Sequence, residues 1–85
     1  MVTFGEFLRM RRQMCELTLE DLAQKIGSHK GYISGIENGK VNPPSPKVIK
    51  RLAVALNTDA TTLLLMGYAE KAPKEIQAFV KSKLL

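Results

Sequence analysis

Residues 18–40 constrain the fold of this 85-residue chain more than any other stretch. Thr18 is a good N-cap, and Glu20 and Asp21 follow it in the first turn, where a helix dipole favours negative charge. Leu19, Leu22, Ala23 and Ile26 then recur at helical spacing. Ala23 is small, as a steep crossing of two helices requires where the backbones approach. Gly27 follows directly, and glycine enters a left-handed turn without steric penalty. Ser28 is placed to cap a second helix, in which Ile33 and Ile36 share one face. Lys30, Gly31, Ser34 and Gly35 fall largely on the opposite face, and Asn38-Gly39 stops the helix. The spacing therefore predicts two short amphipathic helices, 19–26 and 29–37, folded against each other by a tight turn.

The rest of the chain reads as helices too. Helix one covers about 3–15, with Phe4, Phe7, Leu8 and Met14 facing inward. Residues 39–46 are a proline-stiffened loop, and Ser45-Pro46 opens helix four with proline at the first position. Helix four runs to about residue 56 with Val48, Leu52, Ala53 and Leu56 apolar, and Asn57 stops it. Asp59 caps a fifth helix over about 60–66, which Gly67 ends. After a short hinge, Pro73 opens a sixth helix over about 74–84, with Ile76, Phe79, Val80 and Leu84 on one side. That stripe either packs back on its own core or forms a homodimer or partner face. The expected fold is all-α: a compact bundle of about five helices over 1–67, then a hinge and an additional C-terminal helix over 68–85.

Charge adds the first functional constraint. The formal net charge is +5, and residues 25–51 hold Lys25, Lys30, Lys40, Lys47, Lys50 and Arg51 against Glu37 alone. A local basic excess on the second motif helix and its following loop is the electrostatic footprint of phosphate binding. The single Cys15 suits a reducing compartment and reads as a packing residue. There is no apolar run of membrane-spanning length and no secretory signal, so a cytoplasmic protein is expected. His29 is the only histidine, and no acid pair, nucleophile constellation or metal-ligand spacing accompanies it. An enzyme, a metal site and a cofactor are therefore not expected.

Several stretches together resemble a known family, the phage Cro and lambda-repressor type of helix-turn-helix, often called the Xre family. They are residues 4–12, residues 17–23, Gly27, residues 32–34, residues 36–40, Asn42-Pro43, and Leu52-Ala53 with Ala55-Leu56. The resemblance covers about residues 4–65. It implies a lambda-repressor-like bundle that binds double-stranded DNA, with its second motif helix in the major groove.

Carried over position by position, Arg12 and Glu37 match the family's internal ion pair. His29, Lys30, Gly31, Ser34 and Gly35 stand where the family contacts bases. Lys30 either reads a guanine edge or holds a phosphate. Thr18, Tyr32, Asn38, Lys40 and Asn42 match backbone-contacting positions, which set register but carry no sequence information. Leu19 replaces a glutamine common in the family, and Glu16 replaces the glycine that commonly ends helix one. The implied function is sequence-specific transcriptional regulation as a repressor, by a homodimer in a prokaryotic cell or phage-infected host. The alternative is a protein-interaction module, an antitoxin or adaptor whose C-terminal helix holds a partner protein. Neither requires a cofactor.

Overall fold

A computed structural model describes residues 2–71 of the chain. Its helices are α1 (Phe4–Met14), α2 (Leu19–Lys25), α3 (Lys30–Glu37), α4 (Pro46–Ala55) and α5 (Ala60–Lys71). The expected sixth helix, with Ile76, Phe79, Val80 and Leu84, lies outside the described residues.

Helix starts follow local capping chemistry. Thr3 and Thr18 open α1 and α2 with reciprocal capping boxes, to Glu6 and Asp21 respectively. Pro46 is the first residue of α4. Asp59 Oδ2 accepts the Thr62 N–H at 2.9 Å to start α5.

Helix ends follow a single rule. At the end of α2 the Gly27 N–H reaches the Gln24 carbonyl at 3.2 Å and the Ser28 N–H reaches that of Ala23 at 2.8 Å. This is a Schellman closure, which needs a left-handed residue at the turn. The ends of α1, α3 and α4 repeat it around Glu16, Gly39 and Asn57. Gly27 and Gly39 adopt φ of 71° and 72°, and Glu16 and Asn57 adopt 57° and 51°. Glu16 thus makes the same turn that glycine would, at the steric cost of its Cβ.

The core is drawn from all five helices. Phe4, Leu8, Leu22, Ile33, Leu52, Leu56 and Leu63 are its largest fully buried side chains. Helix α1 lies against α3 and α5, α2 packs on α3 and α4, and α4 on α5. Close approach of α1 to α3 depends on Gly5. A Cβ there would lie 2.3 Å from the Ile36 carbonyl oxygen and 2.7 Å from that of Glu37.

Four sequence expectations are corrected. Helix α5 does not stop at Gly67, so residues 68–71 belong to it and not to a hinge. Gly67 is buried in mid-helix, where an added Cβ would meet Ile49 Cδ1 at 2.8 Å. Glycine serves here to let α5 approach the core. The extended helix buries Ala69 and brings Glu70 to the start of α1, where its carboxylate accepts the Phe4 N–H. Met14 does not face inward: it is 64% exposed on the outward side of α1, whereas its neighbour Cys15 is half-buried with its Sγ bonded to the Leu56 carbonyl. Ile49, with Leu52, Ala53 and Leu56, supplies the buried face of α4, while Val48 is half-buried. Ser28 does not cap α3: it is the last residue of the turn that closes α2, α3 begins only at Lys30, and the cap falls to His29.

Candidate nucleic-acid interface

The end of α3 is tied to α1 through a buried carboxylate. Glu37 is 5% exposed. Its Oε2 accepts from Arg12 Nε at 2.7 Å, and its Oε1 from Arg12 Nη2 at 3.1 Å. Such a two-point contact fixes orientation as well as distance. The hydrogen bonds to Glu37 raise the pKa of the Arg12 guanidinium, outweighing the opposing effect of burial. Arg12 Nη1 also donates to the Leu17 carbonyl at 2.8 Å, so one side chain braces α1, α3 and the approach to α2.

A second arginine carries this frame to the surface. Arg9 Nε lies 3.3 Å from Glu37 Oε1, and Arg9 Nη2 donates to Asn38 Oδ1. Asn38 Nδ2 in turn donates to Ser34 Oγ at 3.2 Å. The outer face of α3 is therefore linked through side chains to α1. Sequence reasoning missed Arg9, because its role depends on how α1 crosses α3. It also missed Gly5, and Arg11, whose Nη2 donates to the Leu56 and Asn57 carbonyls and closes the end of α4.

At the other end of α3, Ala23 is 1% exposed beneath the crossing with α2, and Gly27 turns the chain. His29 Nδ1 accepts the Tyr32 N–H at 3.2 Å, which starts α3. Ile33 and Ile36 go into the core, while Lys30 and Gly31 are exposed and Ser34 and Gly35 are half-buried. The result is a short helix held at both ends, with a basic side chain near its outer N-terminus. A family model described as a helix-turn-helix domain matches residues 3–65.

The chain belongs to the helix-turn-helix domain family.

Its relatives agree with the lambda-repressor-like resemblance. The chain is 42% identical to the HTH-type transcriptional repressor RghR of Bacillus subtilis, over all of this chain and 64% of that protein. It is 38% identical to the uncharacterized HTH-type transcriptional regulator RghRB of the same organism, over 91% of this chain and 56% of that one. The chain thus spans less than two thirds of the length of these curated relatives. Among solved structures, it is similar to that of SinR, described as the master regulator for biofilm formation, in complex with DNA. The TM-score is 0.67 at 29% identity, covering 73% of this chain and 98% of that one.

Within the helix-turn-helix, the candidate contact residues are placed as follows. His29, Lys30 and Gly31 are exposed around the start of α3. Ser34 Oγ accepts from Asn38, leaving its own hydroxyl proton to donate. Val41 lies against Gly35, where an added Cβ would sit 3.4 Å from Val41 Cγ1. The outer surface at that turn of α3 therefore includes Val41, which is 41% exposed. Thr18 Oγ1 accepts the Asp21 N–H at 3.0 Å, and its hydroxyl also bonds the Asp21 carboxylate at the exposed start of α2. Tyr32 is half-buried against the core. Asn38, Lys40 and Asn42 are exposed in and after the turn that ends α3. Among the described residues, no group of three or more His, Cys, Asp or Glu is placed to hold a metal ion, and no helix is long and apolar enough to cross a membrane.

Proposed function

We propose that this helix-turn-helix domain binds double-stranded DNA with α3 in the major groove and acts as a transcriptional repressor. The observation that carries the reading is the construction of α3. Its apolar face is buried, its end is fixed to α1 through Glu37, and its other face is exposed beside Lys30 and Lys40. A helix of 8 residues, anchored at both ends and exposing Lys30 on its outer side, is what groove insertion requires. Similarity to the SinR structure in complex with DNA and to the repressor RghR supports the same reading.

The roles follow from position. Lys30 reads a guanine edge and Ser34 supplies a hydroxyl donor at the next turn. Thr18, Tyr32, Asn38, Lys40 and Asn42 bind phosphates on either side of the groove. Such contacts set register, while Gly31 leaves the helix low against the bases. The protein works as a homodimer on two half-sites about 10 bp apart.

Fluorescence anisotropy on duplex pools across a salt series, followed by selection and sequencing, tests the proposal. The expected outcome is a steep loss of affinity with salt and enrichment of a near-palindrome. Weak binding without enrichment overturns it.

A further inference from the structure

His29 is an unusual residue for the place it occupies. Serine, threonine, asparagine and aspartate are the preferred N-caps, and Ser28 stands one position earlier. Yet the chain caps α3 with an imidazole, at φ −131° and ψ 157°. Ser28 stands one place too early: α3 begins at Lys30, and Ser28 is the residue whose N–H closes α2 on the Ala23 carbonyl. Helix stability therefore accounts for a cap at position 29 but not for a histidine there.

The cap has a chemical consequence at the other side of the ring. Nδ1 must offer its lone pair to the Tyr32 N–H, 3.2 Å away. A neutral imidazole with Nδ1 accepting carries its proton on Nε2. The exposed His29 is thus held as a one-way donor at the end of α3. The ring is also located laterally. Its centroid lies 6.3 Å from that of Tyr32 at a tilt of 51°, and a Cβ on Gly31 would come within 3.3 Å of Nδ1. Glycine at position 31 leaves the ring its space.

We propose that His29 is a specificity-determining residue whose Nε2–H donates to N7 of a purine in the major groove. This rests on the reading of α3 as the groove-entering helix. A lone donor needs an acceptor. Guanine and adenine both present N7 in the major groove, thymine sets its methyl group beside O4, and cytosine presents an amino donor. The capping bond selects the tautomer, and the tautomer favours a purine and rejects cytosine.

The test uses the enriched duplex from the selection, with each purine of one half-site replaced in turn by its 7-deaza counterpart, which lacks the N7 acceptor. At one position the wild-type protein is expected to lose about 2- to 10-fold in affinity, the worth of one hydrogen bond. His29→Ser keeps a preferred N-cap, so its melting temperature and salt slope are expected to match wild type. It should bind the normal and 7-deaza duplexes equally at that position. No loss at any purine with the wild-type protein overturns the proposal, whether or not the variant folds. An equal loss in His29→Ser also overturns it. Failure of the wild-type protein to show salt-dependent duplex binding is a different result: it removes the DNA-binding reading, and this inference with it.

Discussion

Replacing Glu37 by alanine tests the frame that holds α3. Glu37 sits in the last turn of α3, where the helix dipole disfavours a negative charge by about 0.3–1 kcal/mol. Local helix chemistry therefore favours its removal, and any loss must come from tertiary contacts. Those contacts are two bonds from Arg12 and one from Arg9. The Glu37 side chain is 2% exposed and that of Arg12 13%, so both charges are largely withdrawn from water. Removing one partner of a buried pair costs about 3–5 kcal/mol, because the other is left uncompensated. Arg12 keeps its bond to the Leu17 carbonyl and some exposure, and Arg9 is 44% exposed and can turn to solvent. The expected loss is therefore near the lower end, about 3 kcal/mol. For a domain of this size that lowers the melting temperature by about 12–24 °C. Urea titration gives the free energy and circular dichroism the midpoint. Glu37→Gln, which keeps one acceptor oxygen, should lose less. Pairing Glu37→Ala with Arg12→Met should recover about 1–3 kcal/mol relative to the sum of the single changes. A loss below about 1 kcal/mol, or strict additivity in the double variant, would refute the reasoning.

Three further outcomes are expected. Gly5→Ala gains about 1 kcal/mol of helix propensity but drives a methyl into two backbone oxygens that cannot rotate away. A net destabilisation of about 1–3 kcal/mol should appear in the same urea titration, and an unchanged midpoint would mean that α1 and α3 are less closely apposed. Lys40→Ala should weaken binding to every duplex and lower the salt slope by about one unit, whereas Lys30→Ala should cost about 1–3 kcal/mol and relax one base pair. A uniform loss for Lys30→Ala in anisotropy measurements would make Lys30 a phosphate contact. Acid titration should report the two capping boxes. The Thr3 and Thr18 backbone N–H groups, and then their hydroxyls, hold Glu6 and Asp21 below their ordinary values of 4.5 and 3.8. Groups depressed on folding contribute stability that is complete above those values and fades as pH falls through the lowered ones. Glu6→Gln with Asp21→Asn should flatten that part of the stability–pH curve. A curve as steep as wild type would mean that the boxes do not contribute.

The helix-turn-helix was legible because its signals are local. Thr18 caps α2, Gly27 and Gly39 sit at turns needing positive φ, Pro46 opens α4, and Ile33 and Ile36 repeat at helical spacing. Each follows from a residue and its near neighbours in the chain. The pairing of Arg12 with Glu37 is separated by 25 positions and was accessible only through resemblance to a family. Arg9 escaped even that, since an arginine on an amphipathic helix looks the same whether it faces water or a carboxylate.

Glycine shows where the boundary lies. At positions 27 and 39 the backbone itself demands φ near +70°, and the sequence alone identified both turns. Gly67 carries the same residue type and was read as a third stop, but it lies inside α5 with Ile49 and Phe4 against it. Gly5 is likewise helical, and its missing Cβ makes room for the backbone of α3. A turn is decided by torsion angles within a few residues, so sequence determines it. Close packing is decided by what another helix brings to the same place, and only the tertiary structure supplies that.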